Sequence, residues 1–424
     1  MFGEPNIKAT SAIGADNKIT CIVCGYSEVE EFLDLGVSAL ANKFLRGDDL
    51  SQPEPKFPLK VGFCHRCNHV QLVDKVPPPD MFDDYLYMSS ASDTLKAHLY
   101  DLSDIVVRRQ GLGADDLVID IGCNDGTLLN GFKRHGVRTL GVDPAKNLAE
   151  LTKGNVGTDR FADFFNEKNA ATIVERWGPA KVITATNTFP HIPELQDFVA
   201  GLKIALAEGG VFVIEMHYLV DMIEQLAFDT VYHEHVSYWA LGPMRYLFES
   251  NGLEIVDVTR VPLHHGQLRV FVQRQGEGEV QPSVQEILDL EKSMRLDEFA
   301  TFEGFARDIQ VIKKDLLATI DELRAQGKKV VGYGAPAKGN TLLSFLEIRS
   351  DRVEYIADKS PLKQGLYTPG MHIPVVPPER LLLDQPDYVI LFAWNFRDEI
   401  LLQQQEYRER GGKFIVPIPK VEIV

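Results

Sequence analysis

Two Cys-x-x-Cys pairs near the amino end constrain this chain more than any other feature. They are Cys21-Ile22-Val23-Cys24 and Cys64-His65-Arg66-Cys67, and 39 residues lie between Cys24 and Cys64. Each pair can set two thiolates on one tight turn, and two such pairs make a tetrahedral four-sulfur zinc site. Gly25 follows the first pair, where such a turn often needs positive φ. The gap is longer than the usual zinc-ribbon spacing, so a small subdomain has to fill it. A closed four-sulfur shell leaves no open position for a substrate, so the metal is expected to be structural. The competing reading is a set of free or redox-active thiols. His65 and His69 are nearby candidate ligands, and surface histidines are the blander reading of them. The fifth cysteine, Cys123, stands apart. In a cytosolic protein this usage favours metal over disulfides.

The second constraint is a strand that runs into a glycine turn and then a helix. Val118-Ile119-Asp120-Ile121-Gly122-Cys123-Asn124-Asp125-Gly126-Thr127 carries it. Glycines let a backbone approach a ligand closely at the carboxyl end of a strand. Dinucleotide folds place three glycines here, because a pyrophosphate sits on the helix N-terminus. This loop has two, with acids at Asp120 and Asp125. Acids suit a cationic sulfonium and an amino-acid moiety better than a diphosphate. Further on, Gly141-Val142-Asp143-Pro144 ends the next strand with a carboxylate that can take both ribose hydroxyls. Phe161-Ala162-Asp163-Phe164 offers an acid and an aromatic for adenine, and Asn187-Thr188 ends the following strand. One such feature is only a turn, and Asp163 alone could be a solvated acid. All four in order point to S-adenosylmethionine, with Asp120, Gly122, Asn124, Gly126, Asp143, Asp163, Phe164 and Asn187 as candidate contacts.

Around these loops, strand-like runs at Leu117–Ile121, Arg138–Val142, Val182–Ala185 and Val211–Glu215 alternate with helical stretches. Such alternation predicts a doubly wound α/β sheet. Leu253–Val258 and Gln267–Gln273 read as a closing strand pair. Charged helices follow at Val284–Leu296 and Phe305–Gln326, and then a second α/β unit begins at Lys328–Gly332. Pro77-Pro78-Pro79 reads as a linker. The expected architecture is α/β in three parts. A small zinc-binding domain spans 1–76, a Rossmann-like class I methyltransferase domain 77–283, and a Rossmann-like C-terminal domain 284–424.

With 424 residues, 45% of them hydrophobic and 25% charged, the chain reads as a soluble globular protein. No apolar run approaches the ~20 residues that span a bilayer, and Met1–Lys18 lacks a signal-peptide core. The expectation is a cytoplasmic protein with no membrane partner. A net charge of −17 disfavours a nucleic-acid partner. It leaves room for a local basic pocket. A monomer or small homo-oligomer is expected.

Val231-Tyr232-His233-Glu234-His235-Val236-Ser237-Tyr238-Trp239 gathers unusually many functional groups. A second metal and a buried structural cluster are both possible readings. Acid–base chemistry fits better. Methylating carbon requires a nucleophilic carbon, and the mildest route removes a proton beside a ketone. Imidazole titrates where such a base is needed, and a tyrosine hydroxyl or second histidine can serve the developing oxyanion. His191 follows another strand end and can face the same cleft.

The sequence resembles the three-domain sugar C-methyltransferases, which act on nucleotide-linked keto-deoxysugars. The resemblance covers nearly the whole chain. It rests on the cysteine pairs, Gly122–Gly126, Tyr232–Tyr238, Tyr333-Gly334-Ala335, Lys338-Gly339-Asn340-Thr341-Leu342-Leu343 and Asp358-Lys359-Ser360-Pro361-x-Lys363-Gln364-Gly365. It implies that the middle domain binds S-adenosylmethionine and that the sugar nucleotide lies between the middle and C-terminal domains. It implies that His235 removes the C3 proton of a 4-keto sugar, with Tyr232 and His191 orienting the sugar or steadying the enolate and Glu234 in support. It implies a capping tyrosine at Tyr85 or Tyr87. Arg269, Lys338, Asn340 and Lys363 complete the substrate-binding candidates. The loop Gly332–Gly339 reads either as a diphosphate cradle with Lys338 as counter-charge or as a turn with a solvated lysine. One departure stands out. Where the family commonly has His-Gly-Gly-Ser-Leu-Arg, this chain has His264-His265-Gly266-Gln267-Leu268-Arg269, which suggests a different sugar contact or a narrower pocket. Two other readings remain at this stage: methyl transfer to oxygen or nitrogen, and a non-catalytic zinc-stabilised binding protein.

Overall fold

The computed structural model describes residues 10–11, 19–77, 81, 88–145, 148, 159–263 and 266–424. Tyr85, Tyr87, His264, His265 and most of the proline linker lie outside the described residues.

Three sheets organise the chain. In the first, β1 (Val29–Ser38), β2 (Phe57–Cys64) and β3 (Val70–Leu72) form an antiparallel meander. The central sheet contains β4 (Leu117–Ile121), β5 (Arg138–Val142), β6 (Asp159–Phe161), β7 (Ala180–Thr186) and β8 (Leu206–His217), all parallel. The short strand β9 (Ser237–Tyr238) leaves this region and adds to β3. Antiparallel β10 (Leu253–Val261) and β11 (Gln267–Arg274) then close the central sheet, giving the order β10-β11-β8-β7-β4-β5-β6. This is the predicted closing pair, slightly longer than expected.

β4 is buried along its whole length and reads as a nearly continuous apolar run, as expected where both faces of a parallel sheet are covered. Helix α1 (Asp93–Gln110) begins at Ser92, whose Oγ accepts from Leu95 N, and ends at Gly111 in the left-handed region. Helix α2 (Thr127–Lys133) follows the glycine turn.

The C-terminal sheet uses β12 (Val330–Tyr333), β13 (Ile356–Ala357), β14 (Val375–Val376), β15 (Tyr388–Leu391), β16 (Lys413–Val416) and β17 (Glu422–Ile423), in the order β14-β13-β12-β15-β16-β17. In both parallel sheets the first strand sits inside the sheet, with the chain crossing to either side of it. Loops at the carboxyl ends diverge at such a switch point and leave a crevice.

Helix α3 (Phe299–Ala325) ties the parts together. Its buried Phe302 lies 4.9 Å from the Phe63 ring and 5.1 Å from that of Phe32, both in the N-terminal sheet. Burying one such ring contributes roughly 2–3 kcal/mol. Helix α4 (Ala337–Leu346) takes its N-cap from Pro336, whose extended backbone suits that position. No helix among the described residues is long and apolar enough to cross a membrane.

Candidate active site and zinc centre

The four cysteine sulfurs converge as the spacing predicts. All four Sγ atoms lie within 4.8 Å of one another. Cys21–Cys67 and Cys24–Cys64 are each 3.6 Å apart. Tetrahedral zinc with bonds of about 2.3 Å requires sulfurs about 3.8 Å apart, so the cluster fits the ion. The two knuckles are built alike. Gly25 N donates to Cys21 O and Asn68 N to Cys64 O, with φ of 69° and 60° at the turning residues. The neighbouring histidines differ from one another. His65 is on the surface beside Glu30 at 2.7 Å. His69 is fully buried against Trp239, which corrects the reading of it as a surface residue.

The zinc sheet reaches directly into the histidine cluster. Leu72 N donates to Val236 O, and β9 pairs with β3 from the next residue on. Val236 N donates to Pro190 O. Tyr232–His235 is therefore a turn clamped between two elements, not a strand, and its two histidines point apart. His233 Nε2 lies 3.3 Å and 3.2 Å from the carbonyls of Phe57 and Pro58 in the zinc sheet. His235 faces the other way, into a cavity. Among the described residues, the cysteine cluster is the one group able to hold a metal through three or more ligands. The His-x-His pair is not part of it.

The cavity has a volume of about 670 Å³ and opens between the carboxyl ends of the two parallel sheets. Its wall divides into two groups. The first is Gly122, Asn124, Asp143, Asp163, Phe164 and Asn187, from the loops after β4, β5, β6 and β7. The second is His191, His217, Tyr232 and His235, with Lys338 and Lys363 from the C-terminal part and Asn42 from the zinc part.

The first group fits an adenosyl sulfonium ligand. Gly122 has φ 73°, and a Cβ there would come within 2.1 Å of Thr188 Oγ1, so no larger residue fits this turn. Asn124 and Asn187 also lie in the left-handed region, at φ 51° and 54°, where asparagine is tolerated better than most residues. Asp143 accepts from the backbone N–H of Asn124 and of Ala145, both at 2.8 Å, and pairs with Arg160 at 3.2 Å. Arg160 carries no motif and was not expected from the sequence. Ser89 N donates to Asn124 Oδ1 and Ser90 N to Asp125 Oδ2, so the segment after Tyr85 and Tyr87 straps the loop. Two predicted contacts do not reach the cavity. Asp120 is buried behind the loop, where it accepts from Thr184 Oγ1 at 2.7 Å, because β4 pairs Asp120 with Thr184 on β7. Burial, opposed by that hydrogen bond, pushes its carboxyl up to about 7. Gly126 serves as the N-cap of α2, with φ 82°.

In the second group, His235 Nδ1 lies 2.9 Å from Thr230 O and Nε2 lies 2.7 Å from Tyr232 Oη. A carbonyl only accepts, so Nδ1 must carry the hydrogen, and the Nε2 lone pair takes the tyrosine hydroxyl. The rings of His191 and His217 stand 4.8 Å and 5.4 Å from that of His235. Burial holds His235 well below the usual imidazole value, with His191 adding to the effect. Burial likewise pushes His191 down to about 4, against hydrogen bonds to backbone of Glu234 and Asn187. His217 was missed in the sequence. Its signal is its place at the end of apolar β8.

Glu234, expected beside these groups, turns away from the cavity and accepts from Asn42 Nδ2 at 2.7 Å. Burial pushes it up to about 7. Arg269 does not line the cavity either. β11 sets it opposite Glu215 on β8, and its Nε donates to that carboxylate at 2.8 Å. His98 bonds the other Glu215 oxygen. Asn340 is buried and donates to Ala41 O at 2.7 Å, which makes it a tether to the zinc part. Lys363 does line the cavity, with Nζ on Ala335 O at 2.7 Å. The Lys338 ammonium is buried, which excludes the solvated-lysine reading. Gln267, at the departure from the family pattern, is buried outside the cavity and donates to Asn187 Oδ1 at 2.9 Å. It acts on the wall through Asn187.

Residues 21–82 match a zinc binding domain model, 95–258 a methyltransferase domain model, and 262–419 the C-methyltransferase C-terminal domain model. C-methyltransferase NovU of Streptomyces niveus is 36% identical over 405 residues, covering 95% of this chain and 96% of that protein. The chain belongs to the C-methyltransferase family. It is an S-adenosylmethionine-dependent C-methyltransferase with a zinc-binding domain. A ubiquinone biosynthesis O-methyltransferase of Coxiella burnetii is 19% identical over 157 residues, 35% of this chain and 67% of its own. A solved S-adenosylmethionine-dependent methyltransferase of Clostridium acetobutylicum is similar with a TM-score of 0.36 and 15% identity. It covers 44% of this chain and 94% of its own.

Proposed function

We propose that this C-methyltransferase acts at C3 of a nucleotide-linked 4-keto-deoxysugar, and that His235 prepares the acceptor by removing the proton beside the ketone. The observation that carries this reading is the tautomer of His235. With Nδ1–H committed to Thr230 O, the lone pair on Nε2 faces Tyr232 and the cavity. A buried neutral imidazole with its basic nitrogen in a cavity is the group an enolisation needs.

S-adenosylmethionine supplies an electrophilic methyl group on a cationic sulfur. Gly122, Asn124, Asp143, Asp163, Phe164 and Asn187 would hold it. At the acceptor, the Tyr232 hydroxyl leaves Nε2 of His235 for the sugar, the C3–H bond breaks as that nitrogen takes the proton, and the electron pair moves to the ketone oxygen. Tyr232 and His191 orient the sugar or donate to that oxygen. The enolate carbon then takes the methyl group as the methyl–sulfur bond breaks, its electron pair staying on sulfur in S-adenosylhomocysteine, and the ketone re-forms. Asn42, His191 and the C-terminal loops wall the site on different sides, which limits entry of water.

We assign residues 1–76 to the zinc unit, 77–283 to donor binding, and 284–424 to a unit that helps hold the sugar nucleotide. The Cys₄ cluster suits a reducing compartment, and we place the enzyme in the cytoplasm as a monomer or small homo-oligomer. The test is incubation with S-adenosylmethionine and a panel of nucleotide-linked 4-keto sugars, followed by mass spectrometry and NMR of the product. One added methyl group bonded to carbon supports the reading. A methyl group on oxygen or nitrogen, or no gain with any sugar while the donor binds, overturns it.

A further inference from the structure

Two lysines from the C-terminal part line the cavity, and only one has a hydrogen-bond partner. Lys363 Nζ rests on Ala335 O and lies 5.2 Å from the centre of the Phe44 ring. Lys338 Nζ is buried and has no hydrogen-bond partner. The anion that acts on it is Asp229, which does not reach ion-pair distance. Asp229 Oδ2 accepts from Trp394 Nε1 at 2.7 Å, and its Oδ1 is unpartnered. A buried ammonium with no acceptor is costly to maintain. Its place on a cavity wall suits a partner that brings negative charge.

A nucleotide-linked keto sugar brings such charge at two points, the diphosphate and the oxygen that becomes an enolate. The placement favours the second. Lys338 stands on the side of the base, since helix α4, which carries it, packs on the short turn Phe228–Thr230 that holds His235. One short turn serves both groups. Thr230 O fixes Nδ1 of His235, and the adjacent Asp229 answers the lysine. The charge of Lys363 is answered instead by Asp358, on the loop that also brings Ser360 to the wall.

The geometry points to Lys338 as a catalytic residue for the proposed reaction: its ammonium takes up the negative charge that develops on the acceptor's ketone oxygen as His235 removes the adjacent proton. The C–H electron pair moves to that oxygen, and the proton stays on Nε2. When the new C–C bond forms, the oxygen returns its pair to the carbonyl and Lys338 is released. The inference rests on the enolisation reading above and adds the group that makes the enolate accessible. It also moves Lys338 away from the diphosphate, where the glycine loop had suggested it.

The experiment compares wild type, Lys338→Met and Lys338→Arg with S-adenosylmethionine and a nucleotide-linked 4-keto sugar. It separates kcat from KM and measures thermal unfolding alongside. Methionine keeps length and apolar volume but removes the charge. We expect kcat to fall roughly 100-fold or more, a change of a few-fold in acceptor KM, and an unfolding temperature that is unchanged or higher. Arginine, which keeps the charge, should recover part of kcat. A rise in KM with kcat unchanged would return Lys338 to the diphosphate and overturn the inference, as would equal kcat in all three proteins. C-methylated product from wild type with no effect of Lys338→Met sinks this inference alone. Absence of any C-methylated product from wild type sinks the reading on which it rests.

Discussion

Tyr232 donates its hydroxyl to Nε2 of His235 at 2.7 Å, while Nδ1–H of the same ring is held by Thr230 O. One side chain therefore has its tautomer fixed from behind and its lone pair held at the cavity wall by the Tyr232 hydroxyl, which has to turn to the acceptor before Nε2 takes a proton. This has a consequence for pH. Burial keeps His235 well below the usual imidazole value. A base works when unprotonated, so kcat/KM should hold as pH falls through about 6.5, the ordinary histidine value, and decline only at lower pH. A profile measured between pH 5 and 8 checks this. An acid limb centred at or above the ordinary value contradicts it.

The zinc centre lies three residues from β3, whose edge carries β9 and, through Leu72 N, the carbonyl of Val236. The metal thus fixes the far side of the turn that bears His235. The donor loops belong to the central sheet and do not use this edge. Removing zinc with a strong chelator should abolish methyl transfer while donor affinity falls much less. Calorimetry with S-adenosylmethionine and a turnover assay on the same stripped sample would read both. Equal loss of the two would place the zinc part outside this role.

Glu234 gives a stability test. Burial raises its carboxyl to about 7 and the Asn42 hydrogen bond only partly offsets this. The folded-state value lies above the unfolded one, so the stabilisation belongs to the protonated form. It is fully present below about pH 4.3 and is lost as pH rises to about 7. Glu234→Gln, always neutral, should gain on wild type over that interval by roughly 4 kcal/mol and then level off. Denaturant melts at pH 5 and pH 8 measure the difference. A gap that does not change with pH would refute it.

Asn340 belongs to a sequence block that suggested substrate binding, but its amide is spent on Ala41 O. Asn340→Ala leaves that buried carbonyl without its partner and should cost about 1–3 kcal/mol. Acceptor KM should stay within about twofold, since the side chain is off the cavity wall. Chemical denaturation and steady-state kinetics on one preparation separate the outcomes. A tenfold rise in KM at unchanged stability would restore the substrate role.

Much of the site was legible because chemistry and local pattern agree there. Cysteine spacing predicted a cluster that the fold assembles, and the strand-end loops predicted Gly122, Asn124, Asp143, Asp163, Phe164 and Asn187 on one wall. The misreadings share a cause. Asp120 and Arg269 sit in strands, where register decides which neighbour each side chain meets, and Thr184 and Glu215 claim them. Register is a long-range property that residue type does not reveal. Glu234 and Asn340 were misplaced because they turn toward Asn42 and Ala41, distant in sequence. Arg160 and His217 were missed because neither lies in a motif. The turn at Tyr232–His235 was not legible because β3 and Pro190, the elements that clamp it through β9 and Val236, are distant in sequence.

The most direct test of the account is His235→Ala, assayed for turnover with S-adenosylmethionine and a nucleotide-linked 4-keto sugar and for donor binding by calorimetry. The account predicts that turnover falls by roughly 100-fold or more, with donor affinity within a few-fold of wild type. Turnover near that of wild type would contradict it.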